Sequence, residues 1–217
     1  MSEYHKIETL YERDEQTHRL KQPLVLKNRV YGLLKSWHFT EKVDGTNIRC
    51  IWRGRVTFFG KSDNAQLHTD LLRWLEAHVT EEAFLRAFPP REDGREQSII
   101  LYGEGYGAGI QKGGGDYSPE KRFILFDVVV QDPMTCIDWW LSDDNVRDVG
   151  QKMGLEVVPS FGEMTLEDAT EMVRAGIQSR CAVSPAKQAE GLVGRPLEAL
   201  FDKKGHRLIV KLKTKDF

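Results

Sequence analysis

Hydrophobic and polar positions change period along this chain, and the changes mark its elements. The first forty residues are mixed and highly charged, with no clear period. Strand signals begin near Thr40. The runs I-R-C-I-W (48–52) and V-T-F-F (56–59) flank the turn R-G-R and predict a hairpin. From Thr69 to Phe88 the period lengthens. Leu71, Leu72, Leu75, Val79 and Phe84 recur at helical spacing and Pro89-Pro90 closes the segment, so one helix is predicted there. Two apolar runs, S-I-I-L-Y-G-E (98–104) and R-F-I-L-F-D-V-V-V (122–130), read as buried strands separated by a Gly-rich loop. Helices are predicted over roughly 142–153 and 166–178. Ser142 caps the first, and Thr165 with Asp168 three residues on opens the second. Strands at G-L-V-G-R (191–195) and R-L-I-V-K-L-K (207–213) close the chain. The pattern predicts one α+β domain over 1–217, built of antiparallel β-sheets flanked by helices, with 1–39 as an N-terminal segment.

Composition narrows this picture. A chain of 217 residues is long enough for one good core and short for two. With 40% hydrophobic and 29% charged residues it reads as a soluble globular protein. No apolar run is long enough to span a bilayer, and the opening M-S-E-Y-H-K-I-E-T-L lacks the core of a signal peptide. Cys50, Cys136 and Cys181 are far apart and form no C-x-x-C pair, so a zinc site is not indicated and a reduced, cytoplasmic setting is expected. A net charge of −2 excludes a general nucleic-acid coat. Yet Lys203, Lys204, Arg207, Lys211, Lys213 and Lys215 crowd one acid-free stretch, which points to a phosphate-rich partner; a solvated face is the plainer alternative.

Several short segments carry candidate chemistry. In L-I-V-K-L-K, alternation sets Lys211 and Lys213 on one face and Val210 and Leu212 on the other. Such a face is either a protected edge or a pocket wall presenting cations to a polyphosphate. Glu190 precedes a short strand, and Glu104 ends an apolar run at the start of the Gly-rich loop. Gly103–Ala108 loosely fits a dinucleotide fingerprint, but no helix pattern opens there, and a Walker A loop is absent. Phe126 and Asp127 are adjacent in a strand, so pleating cannot send both into one pocket. Either a bulge intervenes or one acts from behind the sheet.

The order of these pieces says more than any one of them. K-x-D-G-x-N at Lys42–Asn47, Glu104 at a strand end, Phe126-Asp127, Glu190-Gly-Leu-Val and Lys211-Leu-Lys213 follow one another over most of the chain. This series resembles the covalent nucleotidyltransferase superfamily of polynucleotide ligases and mRNA capping enzymes, and most closely the RNA ligase 2 family. Asn47 carries the distinction, since DNA ligases and capping enzymes typically have arginine at that place. G-A-G-I-Q-K (107–112) also resembles the RNA ligase version of its motif. Lys61, in F-F-G-K-S-D-N, stands where the family commonly has arginine, keeping the charge and losing the planar fork.

The resemblance implies the adenylation-domain fold and an ATP-dependent RNA ligase. In it Lys42 attacks the α-phosphate of ATP to form lysyl-AMP, and the AMP then activates a 5′-phosphate end for attack by a 3′-hydroxyl. A lysine amine is almost fully protonated at neutral pH, so the chemistry asks for neighbouring cations such as Lys211 and Lys213. By the same resemblance Asp44, Glu104 and Glu190 hold Mg2+ or Mn2+, largely through water. Asn47 and Glu104 lie near the ribose or phosphates, Lys61 binds the nucleotide, Glu41 meets the base edge, Phe126 stacks on adenine and Asp127 supports from behind. The expected partner is RNA, or an RNA/DNA hybrid, with 5′-phosphate and 3′-OH ends. A capping-type guanylyltransferase, a DNA ligase-like nick sealer and a non-catalytic nucleotide-binding module are the rival readings. With Phe217 four residues past Lys213 there is no room for the usual OB-fold or helical module, so a minimal catalytic domain that leans on an accessory protein or domain is expected.

Overall fold

The apolar runs read above as buried strands lie at the centre of a six-stranded sheet in a computed structural model of the chain, which describes residues 3–95, 97–132 and 137–217. Cys136 lies outside the described residues. In chain order the strands are β1 (Glu8–Thr9), β2 (Trp37–Lys42), β3 (Thr46–Trp52), β4 (Val56–Phe59), β5 (Ser98–Tyr106) and β6 (Arg122–Gln131). They continue as β7 (Asp138–Trp140), β8 (Glu156–Val157), β9 (Ser160–Met164), β10 (Gly191–Pro196) and β11 (Val210–Lys213). The α-helices are α1 (Thr69–His78), α2 (Glu81–Ala87), α3 (Asp143–Met153) and α4 (Leu166–Ala175). Residue contacts gather the chain into two compact units: Met1–Tyr4 with Asp44–Val158, and His5–Val43 with Pro159–Phe217.

The first unit holds the sheet β4-β3-β5-β6-β7, with β8 pairing in parallel with β6. Strand alternation gives this sheet two different faces. Ile48, Cys50, Leu101 and Leu125 pack on Leu71, Leu75 and Phe84 of α1 and α2 and on Val146 and Met153 of α3. Ile51, Ile100, Tyr102 and Val129 form a separate apolar cluster with Tyr4, Phe126 and Trp140. The segment expected to be one helix over 69–88 is two. Val79 and Thr80 leave the helix, and the Thr80 hydroxyl accepts from the Ala83 amide at 3.2 Å to cap a new one.

The second unit holds the sheet β1-β11-β10-β2-β9. Its buried face puts Trp37, Phe39, Leu192, Val210 and Leu212 against Leu166, Ala169 and Val173 of α4. Thr165 caps α4 by accepting from the Asp168 amide at 3.1 Å and donating to the Asp168 carboxylate at 2.9 Å. The helix stops at Ala175 rather than 178, with Gly176 as its C-cap. The strand at the chain's end is shorter than its pattern, starting at Val210, and β1 from the patternless N-terminal region lies parallel beside it. Among the described residues no helix is long and apolar enough to cross a membrane.

Candidate active site

In the five-stranded sheet Lys42 lies opposite Gly191, and Gly191 lies opposite Lys213. Residues paired across a sheet share a face, so the two lysines flank a residue with no side chain to separate them. Thr40, Val193 and Lys211 make the next row of that face. Gly191 is demanded by close packing as well, since a Cβ there would stand 1.9 Å from the Leu212 carbonyl oxygen. Glu190, one residue earlier, binds both neighbours: Oε2 accepts from Lys42 Nζ and Oε1 from Lys213 Nζ, each at 2.5 Å. Burial works to raise the Glu190 carboxyl, but the two ammoniums outweigh it and hold its pKa below the usual carboxylate range. The half-buried Lys211 amine is pushed down, first by burial and then by the charges of Lys213 and Lys42.

Glu41 faces the other way. It pairs with Leu192, in the row that packs on α4, and is 2% exposed. Its Oε1 accepts from Ser179 Oγ at 2.5 Å and Cys181 Sγ at 3.3 Å, and its Oε2 from the Arg180 amide at 2.8 Å. Strand alternation with Lys42 sets Glu41 on the opposite side of β2, where it anchors residues 179–181. Burial, followed by the Glu41 charge, pushes the Cys181 thiol up to about 12, so it is no thiolate at neutral pH.

In the six-stranded sheet the turn into β3 carries Asp44, which is half-buried, and Gly45. A Cβ at Gly45 would meet the Gly105 carbonyl oxygen at 2.2 Å, so only glycine lets this turn lie against the end of β5. Gln111 donates to the Gly45 carbonyl at 2.9 Å and holds the turn from the Gly-rich loop. Asn47 lies opposite Glu104. By alternation both are on the face away from the helices, and among the described residues Asn47 Oδ1 is buried without a hydrogen-bond partner. Lys61 is exposed in the segment that follows β4.

Phe126 and Asp127 share a face because the strand bulges. Pairing of β5 with β6 passes from Tyr102–Asp127 to Gly103–Leu125 and leaves Phe126 as the extra residue. Tyr4 reaches both: its ring meets Phe126 edge-on at 5.1 Å, and its hydroxyl donates to Asp127 Oδ2 at 2.8 Å. Asp127 is fully buried and also accepts from the Val128 amide at 3.1 Å. Trp140 stacks on Tyr102 at 5.5 Å, whereas Trp139 is exposed.

A sequence profile of RNA ligases matches residues 35–213. The chain belongs to the RNA ligase family. Its fold is also similar to solved structures of the Naegleria gruberi RNA ligase. An apo variant of that enzyme superposes with a TM-score of 0.63 at 16% identity, covering 97% of this chain and 59% of that one. A variant with ATP and manganese gives 0.62 at 16% identity, covering 97% and 60%. A variant with AMP and manganese gives 0.61 at 16% identity, again covering 97% and 60%. At that identity the likeness establishes the fold, antiparallel sheets flanked by helices, which is the fold the motif order implies. This RNA ligase family chain spans about 60% of the length of the ligases it superposes on. No protein of curated function matches its sequence.

Asp44, Glu104 and Glu190 are the acids that the motif resemblance assigns to a cation. Among the described residues no three His, Cys, Asp or Glu side chains cluster as a ready-made metal site. The carboxylate oxygens of the three acids are hard donors, the kind that magnesium and manganese take. Residues that the motif order did not point to are Tyr4, Arg49, Gln111 and the Ser179–Cys181 segment. Arg49 and Gln111 did leave signals, an arginine inside an apolar strand and a glutamine within G-A-G-I-Q-K. Tyr4 and Ser179 left none, because their contacts span 123 and 138 residues.

Proposed function

We propose that this chain carries the adenylate-forming chemistry of an ATP-dependent RNA ligase, with Lys42 as the nucleophile. Lys42 Nζ loses a proton and bonds to the α-phosphorus of ATP while the bond to the β-phosphate breaks, releasing pyrophosphate. An oxygen of an RNA 5′-phosphate then takes the AMP, breaking the P–N bond and restoring the lysine. A 3′-hydroxyl oxygen finally attacks the 5′-phosphorus and AMP leaves. The observation that carries this reading is Glu190 bound at once to Lys42 and Lys213 in the row Lys42–Gly191–Lys213, with Lys211 two residues along the same strand.

An ion-paired ammonium has no lone pair to offer, so Lys42 must part from Glu190 before it attacks. With its carboxyl held low, Glu190 is a poor proton acceptor; its part is to aim two amines at one place. Lys211 and Lys213 supply positive charge for the α-phosphate and the leaving pyrophosphate. A bound Mg2+ or Mn2+, held through Asp44, Glu104 or Glu190 and their waters, would neutralise phosphate charge. Asn47 and Glu104 serve the ribose or phosphates, Lys61 the phosphates and Phe126 the adenine ring, with Asp127 behind it. Glu41 acts indirectly, by fixing the end of β2 on which Lys42 sits.

The test is to incubate the full chain with Mg2+ and either ATP or GTP and measure its mass. A gain of one AMP, absent in Lys42→Ala, is the expected result. A GMP adduct would replace this reading with a guanylyltransferase, and no adduct with either nucleotide would replace it with a binding module. Joining of 5′-phosphate to 3′-hydroxyl RNA ends, on nicked and single-stranded substrates, reads the later steps.

A further inference from the structure

β3 buries a whole guanidinium on the face that bears Asn47. Arg49 follows Asn47 by two residues, so the two share a side of the strand, and Arg49 is 0% exposed. A charge is seldom buried this completely without specific partners. The partners of Arg49 lie in one short segment. Its Nε donates to the Gly60 carbonyl at 3.0 Å, its Nη2 donates to Asp63 Oδ1 at 2.8 Å, and the Phe59 ring lies 5.4 Å from its central carbon. These contacts fall on both sides of Lys61, whose own side chain is exposed. The segment also turns tightly: the Ala65 amide donates to the Ser62 carbonyl at 3.1 Å, and a Cβ at Gly60 would lie 2.8 Å from Ala65 Cβ.

We propose that Arg49 is a positioning residue that fixes Lys61 for the phosphates of the bound nucleotide. This rests on the nucleotide-binding role given to Lys61 above. Lysine is a mobile point charge on a flexible stem, and this chain has it where a planar guanidinium is common in the family it resembles. A lysine can match a fixed cation only if its backbone is held, and Arg49 grips the residue before it and the residue two beyond. The guanidinium suits this work because its planar fork reaches a carbonyl and a carboxylate from one rigid group. Among the described residues its Nη1 is buried without a partner, and Asp63 is the one carboxylate paired with the guanidinium.

A double-mutant cycle on the rate and ATP KM of AMP uptake by the full chain tests the idea, with thermal unfolding followed in parallel. Lys61→Ala should slow uptake about tenfold, and Arg49→Lys, which keeps the charge and loses the fork, should slow it by nearly as much. The double variant should be within about twofold of Lys61→Ala alone, because one change removes what the other positions. A merely structural arginine would lower the melting temperature and multiply its effect with Lys61→Ala; that result overturns the proposal, as does a wild-type rate in Arg49→Lys. Should Arg49→Lys fail to fold, Asp63→Asn replaces it in the cycle, since Asp63 is 45% exposed and can be changed without touching the core. A wild-type chain that takes up no AMP would overturn the functional reading and this inference together. An active wild type with independent effects overturns this inference alone.

Discussion

In the five-stranded sheet the polar face is electrically assembled: Lys42, Lys213 and Glu190 already hold one another, and Lys211 stands by with its amine pushed down. In the six-stranded sheet the corresponding polar positions are set by shape. A bulge turns Phe126 and Asp127 to one side, a glycine lets the Asp44–Gly45 turn approach β5, and aromatic rings fill the space around Tyr102. The difference is one of what must change for chemistry to proceed. On the proposed reading the ion pair on Lys42 has to open before the amine can react, whereas Phe126 acts only by offering its ring to adenine. Substitutions should therefore act mainly on rate in the first sheet and on affinity in the second.

The largest effect is expected at Glu190. Glu190→Gln removes the charge that aims Lys42 and holds it beside Lys213, and AMP uptake should fall about a hundredfold or more with less change in ATP KM. The protein should also lose about 1–3 kcal/mol of stability, the worth of hydrogen bonds to a charged group. The pH dependence follows from the lowered pKa. A carboxyl whose folded value lies below its unfolded value of 4.5 stabilises fully above that pH and loses the contribution as pH falls through the folded value. Denaturant melts of wild type and Glu190→Gln should thus differ by a constant amount near neutrality and converge as the pH falls through the folded value. Equal stability of the two proteins at pH 7 would mean that the clamp is not formed in solution.

Phe126→Ala comes next and tests the other sheet. Loss of a stacking ring is worth about 1–3 kcal/mol by analogy with base stacking. The ATP KM should rise roughly ten- to a hundredfold while the rate of uptake at saturating ATP changes little. A fall in that saturating rate with KM unchanged would contradict the division between the sheets, because it would give Phe126 the behaviour expected of Glu190.

Both faces were partly legible in the chain itself, for reasons that differ. Period-two alternation in V-K-L-K put Lys211 and Lys213 on one side, and the strand has them so. The same rule, applied to Glu41 and Lys42, separates them, and only the resemblance set Glu41 at the base edge. Adjacent strand residues share a face only at a bulge, which Phe126 and Asp127 have and Glu41 and Lys42 lack. The break between α1 and α2 had a local signal too, Thr80 followed by Glu81 and Glu82, outweighed by the apolar spacing across it. β1 had none. Two residues in a polar stretch carry no period, and their pairing with Val210 and Lys211 depends on contacts some 200 residues away along the chain.

The smallest expected effect concerns Tyr4, which no local pattern marks and which touches both residues of the bulge. Its hydroxyl bonds to a fully buried carboxylate, so Tyr4→Phe should cost about 1–3 kcal/mol of stability while keeping the ring that meets Phe126. If the hydroxyl serves only Asp127, the ATP KM should stay within about twofold of wild type, since the stacking surface is intact. Tyr4→Ala removes the ring as well, and a rise in KM approaching that of Phe126→Ala is then expected, because the aromatic platform loses its edge contact. Calorimetric melts and ATP titrations of the two variants separate these contributions. A KM for Tyr4→Phe as high as that for Tyr4→Ala would assign the hydroxyl to the nucleotide itself and remove Asp127 from its supporting role.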